Sequence, residues 1–131
     1  MEKHVTAFAP ASVSNVACGF DIMGFALDRP GDTVTLRFSK TPGVHIRKIT
    51  GSDSLLPMDA ARNTAGAPVI AMLKDYPTRL GVEIDIHKGL PAGSGIGSSA
   101  ASAVAAAVAA DELLGTSLSR EELLTYAIEG E

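Results

Sequence analysis

The sequence predicts an α+β fold, a mixed sheet packed against helices. Two observations carry that reading: three stretches alternate apolar and polar residues with a period of two, and later stretches switch to helical spacing. A third is the order of elements, which runs strands, helix, strand, glycine-rich loop, helix, helix, with no internal repeat and no low-complexity linker.

Residues 4–9 alternate weakly and read as a first strand that ends at Pro10. The stretch "ASVSNVACGFDIMGFAL" follows and reads as a structured loop leading into apolar chain. "TVTLRF" (33–38) alternates cleanly, with Val34, Leu36 and Phe38 on one face and Thr33, Thr35 and Arg37 on the other. After a Thr41-Pro42-Gly43 turn, "GVHIRKI" continues the β pattern. Gly51 and Pro57 break residues 51–63. A helix is predicted over about 64–75, with Val69, Ile70, Met72 and Leu73 as its apolar stripe and Pro77 as its stop. "GVEIDIH" (81–87) is the clearest strand, turning Val82, Ile84 and Ile86 inward and Glu83, Asp85 and His87 outward. A helix is then expected over about 98–114, closed by Gly115. A last one is announced by Ser119 and Glu122 at capping-box spacing.

Composition narrows the function classes. With 131 residues, 46% hydrophobic and 20% charged, the chain suits one folded domain, 1–131, with a core of Val, Ile, Leu and Ala, since aromatics make up 5% and Trp is absent. The net charge of −4 and the pI near 5.3 argue against a general nucleic-acid binder. Arg47-Lys48 reads as the solvated edge of a strand. The single cysteine, Cys18, excludes an internal disulfide framework, fits a reducing cytoplasm and reads as a packing residue. "MEKHVTAFAP" lacks the layout of a secretory signal. The alanine-rich run at 100–110, bounded by Asp111-Glu112, falls short of the roughly 20 residues a bilayer requires. The chain stops just past an apolar helical stripe, and so reads as the N-terminal part of something longer.

The chemistry concentrates in "LPAGSGIGSSAASAV" (90–104). A strand, a glycine loop and a helix start make a good anion site, because free backbone N–H groups and the helix dipole converge there. The Walker pattern fails, since Ser98 stands where its lysine belongs, and the dinucleotide pattern fails because Ser98 again replaces its last glycine. What remains is G-x-G-x-G-S-S, in which one serine can cap the helix and the other can bond a phosphate or a metal ion. A tight turn feeding a close-packed alanine helix satisfies the same spacing. Of the other polar residues, Asp21 suits an Asx turn, Asn63 a helix cap, Lys88 and His87 the surface, and Glu131 solvent. His4 and His45 have no partner pattern.

"LPAGSGIGSSAASA" resembles the P-x-x-x-G-[LI]-G-S-S-A-A signature of the GHMP kinases, which act on galactose, homoserine, mevalonate and phosphomevalonate. "FAPASVSNVACGFDIMGFAL" is similar to the homoserine-directed form of the family's first motif, with Ala17 where glycine is usual. The resemblance spans essentially the whole chain. It implies an N-terminal ATP-binding domain like ribosomal protein S5 domain 2, with a left-handed strand–helix–strand crossover. It further implies ATP and Mg²⁺ as cofactors, L-homoserine as the small-molecule substrate, a place in threonine biosynthesis, a cytoplasmic enzyme, a homodimer, and no nucleic-acid or membrane partner.

Carried over by position, the resemblance assigns Pro91, Ala92, Gly93, Ser94, Gly95, Ile96, Gly97, Ser98, Ser99, Ala100 and Ala101 to the triphosphate. Asn63 and Lys88 fall on the adenine pocket, Asn15 and Asp21 on the substrate, and Ser99 and Glu131 on magnesium. Asp21, Ser99 and Glu131 form the implied catalytic set, Asp21 either binding the substrate ammonium or accepting its hydroxyl proton. The family's H-x-D-N segment and C-terminal domain have no counterpart in these residues. Two alternatives stand beside this reading: a non-catalytic nucleotide-binding or assembly domain, and a GHMP kinase for another small alcohol such as mevalonate.

Overall fold

The two cleanest alternating stretches become neighbours at the centre of one sheet. The computed structural model describes residues 3–14, 24–52, 56–89 and 98–130, with backbone alone at 11–14, 24–30, 98 and 99. Its strands are β1 (His4–Ser14), β2 (Gly24–Ser39), β3 (Val44–Thr50) and β4 (Gly81–His87), in the order β1-β2-β4-β3. β2 pairs antiparallel with both β1 and β4, while β3 runs parallel to β4. α1 (Gly66–Asp75) connects β3 to β4; α2 (Ser98–Leu114) and α3 (Arg120–Ile128) follow. A 3-10 turn at Ala60–Arg62 precedes α1.

Alternation sorts the sheet into two faces. Val34, Leu36, Val82, Ile84 and Ile86 point inward and are almost fully buried, and that removal of apolar surface from water is the main stabilising term. Against this face lies α2, whose alanines at 101, 103, 105, 106, 107, 109 and 110 are all buried. Methyl side chains let the helix axis approach the sheet closely, so the alanine run is a packing device for a 17-residue helix. Among the described residues, no helix is long and apolar enough to cross a membrane.

Three boundaries differ from the sequence expectation. β1 continues through Pro10, because β1 is an edge strand and the register shifts between Pro10 and Ser12. An edge position at a bulge tolerates a residue that has no N–H to donate. Beyond that shift Ser12–Ser14 pair with Ala26–Gly24, so residues 11–14 and 24–27, read as a loop leading into apolar chain, lie in strands. α1 starts at Gly66 rather than near 64, because the Asn63 side chain turns the chain first, its Oδ1 accepting the Ala65 N–H at 2.8 Å. The later ends follow the expectation. Gly115 takes φ +69° after α2, and Ser119 and Glu122 form a reciprocal capping box at the start of α3.

Apart from the exposed Phe8, the outer face is polar. A bulge between Ile46 and Lys48 sets Arg47 out of register on edge strand β3, and there it grips Asp85 with two bonds, Nε to Oδ1 at 2.8 Å and Nη2 to Oδ2 at 2.6 Å. Arg37 reaches the same carboxylate from β2 at 3.2 Å. The Arg47 hydrogen bonds, then the charges of Arg37 and Arg47, hold the Asp85 carboxyl below its ordinary range, against a partial opposing effect of burial. A group depressed in the folded state contributes stability above its unfolded pKa and loses it as pH falls through the folded value. Asp85→Asn is therefore expected to lower the melting temperature by a few degrees at neutral pH, with the gap to wild type closing in acid below the usual carboxylate range of ~3.9. A thermal melt series from pH 7 downward measures it.

Candidate functional site

The inward rows of β2 and β4 end in charge. One step beyond the Thr33–His87 pair of the ladder, Asp32 and Lys88 keep the inward phase of Val34 and Ile86, at 0% and 6% exposure. Lys88 Nζ donates to Asp32 Oδ2 at 2.5 Å and to Ser102 Oγ at 2.9 Å, and Ser102 Oγ donates to Asp32 Oδ2 at 2.7 Å. The other carboxylate oxygen, Oδ1, accepts the backbone N–H of Gly89 at 2.9 Å. Two buried charges are costly to desolvate, and their geometry must be good to offset the cost. Here each charged group also gains hydrogen bonds to β4 or α2.

Close backbone packing brings the strands together at this point. A Cβ on Gly89 would run into the carbonyl oxygen of Gly31, so glycine is required for β4 to end this near β2. Asp32 therefore touches the last described residue before the 90–97 segment, Gly89, and a residue in the second turn of the helix that follows it, Ser102.

A second junction lies one residue further along α2. The position of a Cβ on Gly130, after α3, is filled by the Thr64 carbonyl and the Ala103 side chain. Gly130 precedes Glu131, and Ala103 stands one helical turn beyond Ser99 on the same face. Asn63 sits beside this junction at 5% exposure, its Nδ2 donating to the Pro57 carbonyl at 2.9 Å and its Oδ1 accepting from Ala65. The first turns of α2 thus meet the end of β4 at Ser102, and the 63–65 turn and Gly130 at Ala103.

The sequence expectations fall on this region unevenly. Ser98 and Ser99 open α2, where the backbone N–H groups of a first turn have no helical acceptor. Ala101 is buried and Ala100 exposed in the same turn. Lys88 is not the surface lysine that its place after a strand suggests: its ammonium is turned onto Asp32 and Ser102. The Asn63 amide is spent on protein partners too. His87 is exposed, as expected, and meets Thr50 Oγ1 at 2.8 Å. Asn15, Ala17, Cys18, Asp21, the run from Pro91 through Gly97, and Glu131 lie outside the described residues. Sequence reasoning missed Asp32 and Ser102 altogether. The available signal was phase, because Asp32 and Lys88 continue the inward phase of Val34, Leu36 and Phe38 and of Val82, Ile84 and Ile86.

Comparison with known proteins defines the class. The family model described as GHMP kinases N terminal domain matches residues 63–131, and the chain belongs to that family. A homoserine kinase of Xylella fastidiosa (strain M12) is 52% identical over 125 residues, covering 95% of this chain and 39% of the relative. One from Chloroherpeton thalassium is 49% identical over 139 residues, covering 98% of this chain and 44% of the relative. The crystal structure of homoserine kinase from Cytophaga hutchinsonii superposes with a TM-score of 0.92 at 48% identity, over 100% of this chain and 42% of that one. Mevalonate kinase from a methicillin-resistant Staphylococcus aureus shares the fold, with a TM-score of 0.69 at 20% identity. The chain thus spans 39% to 44% of the length of these homoserine kinases. Its four-stranded mixed sheet with helices is the α+β arrangement of the family's N-terminal domain.

Proposed function

We propose that this chain supplies the ATP-binding part of a homoserine kinase, which transfers the γ-phosphate of ATP to the hydroxyl of L-homoserine and yields O-phospho-L-homoserine. The observation that carries the proposal is the entry of the G-S-G-I-G-S-S segment directly into α2 at Ser98, in a chain 52% identical to a named homoserine kinase. On this reading residues 91–101 wrap the triphosphate, those after Pro91 with backbone N–H groups, aided by the positive end of α2. Phosphoryl transfer requires little covalent chemistry of a protein, and positioning with charge neutralisation supplies most of it.

The donors fit magnesium. A serine hydroxyl and a carboxylate are the hard oxygen ligands it prefers; the reading is supported by the packing of Gly130, which precedes Glu131, on Ala103, four residues along α2 from Ser99. Ser99 and Glu131 would hold the ion, which when bound neutralises charge on the phosphates. Asn15 and Asp21 would face the substrate, Asp21 either pairing with its ammonium or taking its hydroxyl proton. Asn63 and Lys88 would shape the nucleotide side of the site as part of its wall, their polar ends being held by the protein. A role in threonine biosynthesis, a cytoplasmic location and a homodimer belong to the same proposal.

A coupled ADP-release assay tests it, with L-homoserine against mevalonate and galactose at equal concentration. Homoserine-dependent ADP release is expected, and a preference for either control would overturn the substrate assignment. A second reading, nucleotide binding without turnover, draws on the chain's span of 39% of its Xylella relative. Mg-ATP binding with no ADP release from any of the three alcohols would favour it.

A further inference from the structure

We propose that Asp32, with Lys88 and Ser102, is a positioning device for the nucleotide: one buried carboxylate that sets the separation between the two ends of the 90–97 segment. The proposal rests on the nucleotide reading above and deepens it. On the entry side, Asp32 Oδ1 accepts the Gly89 N–H at 2.9 Å. On the exit side, Asp32 Oδ2 accepts from Ser102 Oγ at 2.7 Å, in the second turn of α2. Lys88 donates to both Asp32 and Ser102, which closes a three-membered ring of hydrogen bonds and neutralises the carboxylate in place.

Chemistry explains why a charged group occupies this position. An apolar residue would suit the inward row and bury more surface, yet it would leave the Gly89 N–H without its acceptor and α2 without a polar tie to β4. A charged acceptor gives shorter and stronger bonds than a neutral one, and both ends of the segment are held by the same rigid carboxyl plane. Where catalysis is positioning, a small displacement of a binding segment carries a large penalty.

The test separates a positioning role from a purely structural one with charge-neutral pairs of substitutions in the 131-residue chain. D32A/K88M removes both charges and both ties. D32N/K88M also removes both charges, but an asparagine Oδ1 can accept from Gly89 and its Nδ2 can donate to Ser102. The readouts are the dissociation constant for Mg-ATP and hydrogen exchange of the Gly89 amide. D32A/K88M is expected to bind Mg-ATP about tenfold more weakly and to lose protection at Gly89, while D32N/K88M recovers most of both.

Equal affinity of D32A/K88M and wild type would overturn the proposal. Equal weakening of the two pairs would overturn it as well, because Lys88 would then act on the nucleotide directly. Absence of Mg-ATP binding by the unaltered chain is a different failure: it removes the nucleotide reading itself. Should D32A/K88M not fold, Ser102→Ala carries the test. It keeps the Asp32–Lys88 pair and is expected to weaken Mg-ATP binding about threefold, and unchanged affinity would overturn the proposal.

Discussion

Asp32→Ala alone is expected to cost about 3–5 kcal/mol of stability, because it removes the carboxylate that neutralises the buried Lys88 ammonium. The loss arises from what remains. Lys88 is 6% exposed, and with the carboxylate gone the neutral Ser102 Oγ, already bonded to it at 2.9 Å, cannot balance its charge. The Gly89 N–H loses its acceptor in the same step. Domains of this size are stable by about 5–15 kcal/mol in all, so the variant sits near the edge of folding. Lys88→Met should cost less, since Asp32 keeps the donors Gly89 and Ser102. Asp32→Ala/Lys88→Met should recover much of the loss, with no unpaired charge left inside. Urea melts of the four proteins give the cycle, and strict additivity of the two single effects would contradict the pairing.

Gly89→Ala is the second large effect, at about 2–4 kcal/mol, combining a steric clash with a weakened charge-assisted bond. Its new methyl group would occupy the place of the Gly31 carbonyl oxygen. Both partners are backbone, so no side chain can rotate away, and the end of β4 must move off β2. That movement stretches the bond from Gly89 to Asp32, so the nucleotide site should loosen along with the fold. At Gly115 a methyl group meets no atom, and the strain there is limited to φ +69°. Gly115→Ala is therefore the matched control, and denaturant midpoints of both variants should rank Gly89→Ala well below Gly115→Ala.

How much of this was legible beforehand depends on the type of signal. Period-two alternation located 33–38 and 81–87 and assigned their faces correctly, since burial of one side of a sheet writes itself into the sequence. The capping box at Ser119 was equally readable, being local chemistry. Pro10 misled, because whether a proline ends a strand depends on whether that strand lies at an edge, and pairing order is a tertiary fact. Arg47 was read as a solvated strand edge, and β3 does lie at the edge of the sheet; the bulge that turns Arg47 onto Asp85 left no local mark. Lys88 had two sequence readings, surface and adenine lining. The surface reading fails, since its ammonium lies beneath α2 on a partner 56 residues away in the chain. The glycine segment and the first motif announced a family by their residue pattern, which no periodicity could have supplied.

The central claim is that the junction of β4 and α2 serves a nucleotide. Equilibrium binding of Mg-ATP to the chain, with and without Ser99→Ala, tests it most directly. Saturable, magnesium-dependent binding is expected, weakened about tenfold by Ser99→Ala through the loss of one ligand to the ion. No saturable binding by the unaltered chain, or binding indifferent to both magnesium and Ser99, would contradict it.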